Sequence, residues 1–148
     1  MSYGAFAKQA ARYREAEVLS ASPAQLVVIV YEHLLTNLRR ARLQVGDLDG
    51  GARSGSLERA RAALTELLVT LDHEKGGDLA ARLGSIYTFM LGELSVLGVR
   101  PSAERLDAII ALGSELHEAF GQVAASQPGT RQAVAAPPSG TRQAVAAS

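Results

Sequence analysis

The stretch VLSASPAQLVVIVYEHLL, residues 18–35, decides the fold and raises the main question about function. Ser22 can cap a helix, Pro23 suits the first helical position, and Gln25 completes a capping box. The run that follows, Leu26–Tyr31, is apolar at every position. At about 100° per residue it covers the whole circumference of a helix, whereas a small bundle buries only one stripe. Part of this run must therefore face outward or lie beneath another segment.

Four segments of the chain carry apolar residues at helical spacing. The predicted helices begin at Ser22, near Ser56, near Asp78 and near Ser102. Their expected core positions are Val27, Val30, Leu34, Leu38, Ala41 and Val45; Leu57, Ala60, Leu64, Leu67 and Leu71; Leu79, Leu83, Ile86, Met90, Leu94 and Leu97; and Leu106, Ile109, Gly113, Leu116, Phe120 and Val123. Short loops favour antiparallel neighbours, so the predicted fold is all-α, an antiparallel up-down four-helix bundle.

Glycine-rich loops are expected to end these helices. The first helix should stop in residues 46–51, which read GDLDGG. The second should stop at residues 75–77, where a glycine can adopt a left-handed cap. The third should stop before residues 98–101, which end in proline.

The chain is predicted to have three parts. Residues 1–21 form an N-terminal arm with few strong apolar positions, among them Tyr3, Phe6 and Tyr13. Residues 22–125 form the bundle, and residues 126–148 form a low-complexity tail in which GTRQAVAA occurs twice. Two copies of eight residues cannot build a core, so the tail is expected to be disordered; a duplicated docking peptide is the alternative.

The composition argues against several classes of function. The 148 residues include 15 basic and 15 acidic side chains, so no strong field favours nucleic acid or an anionic membrane. Without cysteine the chain has no disulfide, thiolate nucleophile or zinc–thiolate site. The N-terminus is too polar for a signal peptide, and no apolar run approaches membrane-spanning length. We therefore expect a soluble, cytoplasmic protein without membrane insertion.

The polar residues do not assemble a recognisable catalytic or metal motif. The di-iron pattern Glu-x-x-His is absent at His33, His73 and His117. A faint calcium-loop pattern beginning at Asp47 has Ala52 where the sharp turn needs glycine. No nucleophile with a nearby base can be placed by spacing, so we expect no metal, no cofactor and no enzymatic activity.

The surplus of apolar surface is the informative feature. The third helix is also broadly apolar between residues 86 and 91, with Gly84 and Gly92 close by. Either the helices pack tightly there, or the surface holds a shallow groove for an amphipathic helix of a partner. The arm could cover this groove until a partner displaces it, or it could be a permanent part of the core.

Two motifs resemble those of the flagellar secretion chaperone FliS family. Residues 13–32, with Tyr13, SASP at 20–23 and Tyr31, are similar to the family's Tyr…Thr-Ala-Ser-Pro…Leu-Tyr-Asp-Gly pattern. Residues 71–80, LDHEKGGDLA, are similar to its Leu-Asp-x-Glu-Lys-Gly-Gly-Glu-Ile-Ala pattern, followed by Tyr87, Met90 and Leu94. The resemblance covers about residues 10–122. Two departures are Glu32-His33 in place of Asp-Gly, and Phe120 in place of a tryptophan.

The resemblance implies a helical bundle without enzymatic activity that acts in the cytoplasm. Its members bind the disordered C-terminal segment of flagellin, prevent early polymerisation and help delivery to the export gate. The client forms helices that pack into hydrophobic surface grooves, and the N-terminal arm can occupy part of that surface. The grooves agree with the apolar surplus described above, and the identity of the client follows from the resemblance only.

Six residues are the candidates for partner binding, as a mixture of groove and core positions that the sequence does not separate. They are Leu26, Ile29, Tyr31, Tyr87, Met90 and Leu94. An alternative function uses the same surplus: a structural helical protein could form a homodimer through its outward apolar face.

Overall fold

Residues 8, 9, 12 and 21–126 are described by the structure, which is a computed structural model. Within residues 21–126 four α-helices follow one another and no strand occurs. They are α1 (Pro23–Leu43), α2 (Gly51–Val69), α3 (His73–Val99) and α4 (Ala103–Ala125). The arm residues Tyr3, Phe6 and Tyr13, and both copies of GTRQAVAA, lie outside the described residues. The predicted limits of the arm and the tail stay predictions.

The chain divides into two compact units, residues 30–119 and residues 1–29 with 120–148. The larger unit contains α2 and α3 complete, together with most of α1 and α4. In the smaller unit, the predicted capping box at the start of α1 is confirmed. The amide of Gln25 donates to Ser22 Oγ at 3.2 Å, and the amide of Ser22 donates to Gln25 Oε1 at 2.8 Å.

Side-chain contacts in the larger unit show that α1 and α4 run in opposite directions. Glu32, early in α1, lies 3.3 Å from His117, late in α4. Arg42, late in α1, forms an ion pair of 2.8 Å with Asp107, early in α4. An antiparallel pair is the arrangement that brings both contacts together.

The other helices are joined in the same way. Arg59 of α2 donates to the Asn37 side chain of α1, and Arg61 of α2 donates to the Ser95 hydroxyl of α3. Arg105 of α4 donates to both carboxylate oxygens of Glu93 in α3, at 2.9 and 3.0 Å. Each helix thus contacts the next along the chain. The predicted all-α fold, an antiparallel up-down four-helix bundle, is confirmed in this unit.

The core of the bundle contains large apolar side chains from all four helices. Those that are fully buried are Tyr31, Leu34 and Leu38 of α1, Leu64 of α2, Tyr87, Met90, Leu94 and Leu97 of α3, and Leu106 and Ile109 of α4. Gly113 lets the helices approach closely, since a Cβ there would lie 3.2 Å from a Leu35 methyl. Helical periodicity predicted most of this core.

Two predicted core positions are wrong, because they are exposed. Seven others are only half-buried: Val27, Val30, Val45, Leu71, Ile86, Leu116 and Phe120. Leu79 is 62% exposed, because Ala80 takes the inward position in the first turn of the main part of α3. Val123 is 46% exposed, while its neighbour Ala124 is buried. In both cases the neighbouring alanine faces inward instead of the larger side chain. Because alanine is only weakly apolar, it contributes little to the hydrophobic periodicity from which the core was predicted.

The connection between α2 and α3 also differs from the prediction. The second helix ends at Val69 rather than at residues 75–77. Asp72 then caps a new helical turn by accepting a hydrogen bond from the amide of Lys75 at 3.0 Å. Gly77, with φ 51° and ψ −126°, interrupts that turn before the main part of α3. The positive φ suits glycine, which has no Cβ. The glycine does mark a break, but the break lies inside the third helix.

The start of α2 is earlier than predicted. The helix begins at Gly51, whose amide donates to the side chain of Asp49 at 3.1 Å. Ser56, predicted as a start signal, is fully buried, and its hydroxyl lies 2.9 Å from the side-chain amide of Gln44. The serine therefore satisfies a buried polar contact inside the helix instead of capping it.

Among the described helices, none combines the length and the apolar character that crossing a membrane would require.

Candidate functional site

A shallow groove runs between α2 and α3 on the surface of the bundle. It is lined by Leu68 of α2 and by Ala81, Gly84, Ser85, Thr88 and Phe89 of α3. Phe89 is 56% exposed, so much of its aromatic ring lies open to solvent. The groove is therefore an apolar surface that the bundle leaves open.

The small residues of α3 create the groove. Positions 81, 84, 85 and 88 lie three or four apart, so they share one face of the helix. A Cβ added at Gly84 would meet methyl groups of Leu71 and Leu68 at 3.6 and 3.9 Å, which are ordinary contact distances. Gly84 thus leaves room next to leucine side chains of α2.

The hydroxyl groups in the groove are already hydrogen-bonded within their own helix. Ser85 donates to the carbonyl of Ala81 at 3.2 Å, and Thr88 donates to the carbonyl of Gly84 at 2.8 Å. A ligand in the groove does not need to supply polar partners for these side chains. The groove can therefore accept apolar side chains although Ser85 and Thr88 line it.

A second groove lies on the other side of α2, against α1. It is lined by Val30, His33 and Asn37 of α1 and by Arg59, Ala62, Ala63 and Glu66 of α2. Its lining combines apolar side chains with the charged side chains of Arg59 and Glu66. The two grooves flank the same helix and differ in charge.

The glycines noted in the sequence have different surroundings. Gly84 belongs to the open groove, whereas Gly92 has no atom within 4 Å of the place where a Cβ would lie. Close helix packing occurs instead at Gly113, near Leu35 and Met90. Neither Gly84 nor Gly92 is required by tight packing.

The structure separates the six candidate residues into core and surface. Tyr31, Tyr87, Met90 and Leu94 are at most 1% exposed and belong to the core. Leu26 is 38% exposed, and Ile29 is half-buried. From Val27 to Val30 every residue is half-buried, so the apolar run of α1 is neither fully covered nor fully open.

Tyr31 and Tyr87 form a buried pair between α1 and α3. Their hydroxyl oxygens are 2.5 Å apart, and their ring centroids are 6.3 Å apart. Burial raises the pKa of Tyr31 far above its ordinary value, and the hydrogen bond with Tyr87 raises that pKa further. Burial also raises the pKa of Tyr87, although the hydrogen bond acts in the opposite direction there. Both phenols are neutral, and the pair fixes how α1 and α3 meet.

Sequence reasoning missed most of the groove between α2 and α3. It noted Gly84 and the apolar residues around position 89, but not Leu68, Ala81, Ser85 or Thr88. The signal that could have found them is the stripe of small residues at helical spacing, next to an exposed aromatic residue. In the described part of the chain, histidine, aspartate and glutamate side chains do not gather in groups of three that could hold a metal.

Comparison with known proteins gives one consistent answer. The family described as flagellar protein FliS matches residues 6–127. The flagellar secretion chaperone FliS of Salmonella typhimurium is 32% identical over 111 residues, covering 74% of this chain and 82% of that protein. The protein of the same name from Campylobacter jejuni is 32% identical over 102 residues, covering 69% of this chain and 80% of that protein.

A solved structure supports the fold. A crystal structure described as a flagellar chaperone from bacteria has a TM-score of 0.66, with 17% sequence identity. It covers 81% of this chain and 98% of its own. The resemblance seen in the two sequence motifs is confirmed by the sequence comparisons, and the chain belongs to the family of the flagellar protein FliS.

Proposed function

We propose that this chain is a cytoplasmic export chaperone without enzymatic activity, and that its client is the disordered C-terminal segment of flagellin. It would prevent premature polymerisation and deliver the client to the flagellar export apparatus. Relatives named flagellar secretion chaperones support the general role. The observation that carries the proposal is the open apolar groove between α2 and α3, with Phe89 exposed beside Gly84.

The driving force is the removal of apolar surface from water. Each Å² of apolar surface buried contributes roughly 25 cal/mol before the opposing terms are counted. Ordering a disordered client removes several kcal/mol of this gain, so one small groove is not enough for useful affinity. A client that wraps around the bundle and uses several surfaces meets this requirement. No nucleotide enters this mechanism, and release follows from competition at the export apparatus.

The candidate residues have two different roles in this proposal. Leu26 and Ile29 contact the client, or are covered by the N-terminal arm until the client displaces it. Tyr31, Tyr87, Met90 and Leu94 hold α3 in place from inside the core, so that its outer face keeps the shape of the groove. The arm residues Tyr3, Phe6 and Tyr13 compete with the client for apolar surface.

Calorimetry tests the proposal directly. The full chain is titrated with the C-terminal segment of flagellin from the same organism, and light scattering gives the mass of each species. We expect a monomer that forms a 1:1 complex with a Kd below about 0.1 mM, equivalent to roughly −5.5 kcal/mol. Absence of binding at that level would contradict the proposal. A tight homodimer that does not bind the peptide would support the alternative, a structural helical protein that dimerises through its apolar face.

A further inference from the structure

A short helical turn, residues 72–76, lies in the connection before the main part of α3. Its hydrogen bonds are local. The amide of Lys75 donates to the Asp72 side chain at 3.0 Å, and the amide of Gly76 donates to the Asp72 carbonyl at 2.8 Å. The side chains of residues 72–75 are exposed, and within the described bundle none of them forms an ion pair or a hydrogen bond with another helix. The turn therefore holds its own shape without polar ties to the rest of the bundle.

Leu71, directly before this turn, lies at the edge of the groove between α2 and α3. One of its methyl groups is 3.6 Å from the place where a Cβ of Gly84 would lie, and a methyl group of Leu68 is 3.9 Å from the same place. Leu68 and Gly84 both line the groove. Leu71 is half-buried, so it covers Gly84 without being part of the closed core.

Two glycines set the position of the turn, each in a different way. Gly77 has φ 51° and ψ −126°, a conformation that residues with a side chain rarely adopt. At Gly76 an added Cβ would lie 2.8 Å from the Cβ of Ala80, which is closer than such atoms come in proteins. The observed position of the turn thus depends on glycine at both places.

Glycine at position 77 also gives the turn a second position. Because glycine adopts many backbone conformations at similar cost, Gly77 can absorb the large change in φ and ψ that a hinge requires. With helical dihedral angles there, residues 73–99 would form one continuous helix. The turn would then point along the axis of α3, and Leu71 would leave Gly84.

We propose that the 72–76 turn is a lid hinged at Gly77, and that Leu71 closes one edge of the groove until a ligand replaces it. This inference rests on the proposed chaperone function and adds a regulation of the same groove. The free chain covers part of its apolar surface with its own leucine. Only the open fraction of the chain offers the full groove, so the lid lowers the apparent affinity for any ligand that needs the covered edge.

Thiol accessibility in the free chain tests the hinge. The protein has no cysteine, so Gly84→Cys places a single thiol next to Leu71, and its reaction with a water-soluble disulfide reagent reports opening of the lid. In this background Gly77→Ala and Gly76→Ala each disfavour the closed turn, so we expect the thiol to react at least about threefold faster. Gly92→Ala, in open space on the same helix, should change the rate by less than about 1.5-fold. Unchanged rates in folded Gly77→Ala and Gly76→Ala variants would overturn the inference.

Binding of the C-terminal segment of flagellin to the full chain tests what the lid does. Leu71→Ala removes the cover, whereas Leu68→Ala removes part of the groove lining. We expect Leu71→Ala to raise the affinity about threefold and Leu68→Ala to lower it about threefold. Gly77→Ala, which opens the lid and keeps Leu71, should act in the same direction as Leu71→Ala.

The sign of the change decides between two roles for Leu71. Unchanged or weaker binding by a folded Leu71→Ala variant would show that Leu71 belongs to the binding surface, and the lid would be rejected. If the original chain does not bind the segment, the proposed function fails. The thiol rates, which are measured without any client, still decide whether the turn opens.

Discussion

Two neighbouring faces of α3 differ in the size and the burial of their side chains. The inner face contributes Leu83, Tyr87, Met90 and Leu94, and these side chains are buried against the other helices. The neighbouring outer face carries mostly small residues between Ala81 and Thr88 and leaves a groove. One helix therefore stabilises the bundle with large side chains on its inner face, while short side chains on the neighbouring face leave a groove open.

The two faces of α3 show that residues which identify the family need not line the groove. Tyr31 and Tyr87 are among the residues that suggested the family, yet both are fully buried and pair with each other. The groove consists of residues of α3 with short side chains, together with Leu68 of α2 and the exposed aromatic ring of Phe89. Substitutions on the inner face should change stability, and substitutions on the outer face should change binding.

The largest effect is expected from truncating the inner face. Leu94→Ala removes most of a fully buried side chain and should lower the free energy of unfolding by about 3 kcal/mol. Phe89→Ala, five residues earlier and 56% exposed, should lower it by less than about 1 kcal/mol. Urea denaturation of both variants measures the difference. Equal losses would mean that the two faces are not distinct.

The glycines give a second contrast. Gly113→Leu inserts a side chain where a Cβ would already be 3.2 Å from Leu35 and 3.8 Å from Met90, so we expect a loss of about 2 kcal/mol from overpacking. Gly92→Leu adds the same atoms in open space and should stabilise its helix by up to about 1 kcal/mol. Thermal unfolding monitored by circular dichroism measures whether Gly113→Leu lowers the stability and Gly92→Leu raises it. A stable Gly113→Leu variant would show that the helices do not meet closely at that point.

The tyrosine pair predicts a pH dependence. Burial raises both pKa values, so the native state keeps protons that unfolded tyrosines release above about pH 10. Stability should be unaffected by this pair below that pH and should fall above it, by up to about 1.4 kcal/mol per pH unit for each tyrosine. The double variant Tyr31→Phe with Tyr87→Phe should flatten this slope. Denaturant unfolding between pH 8 and 11 measures it, and an unchanged slope would contradict the prediction.

The sequence predicted the bundle because its core residues are large and periodic. Leu34, Leu38, Leu64 and Met90 recur at spacings that place them on one face of each helix, and the structure buries them. It did not predict where α2 ends, because two stop signals lie close together: Asp72 caps a helical turn and Gly77 breaks it. The local sequence does not show whether the Asp72 cap or the Gly77 break sets the helix boundary, because the packing of the helices decides between them.

The candidate site was harder to predict for a physical reason. Helical periodicity selected Met90 and Leu94, and the surplus of apolar residues added Tyr31 and Tyr87 to the candidates. The structure places all four in the core. A groove depends on missing volume and on hydroxyls bonded to their own helix, as in Ser85 and Thr88. Neither property appears on a hydrophobicity scale. The apolar surplus was visible in the sequence, but its location required the packed helices.

One measurement tests most directly whether the groove between α2 and α3 holds the client. Gly84→Leu fills that groove, and Gly92→Leu adds the same side chain to open surface on the same helix. Calorimetry with the C-terminal segment of flagellin should show binding weakened at least about tenfold, or 1.4 kcal/mol, in Gly84→Leu, with Gly92→Leu within about twofold of the original chain. Unchanged affinity in a folded Gly84→Leu variant would contradict the account.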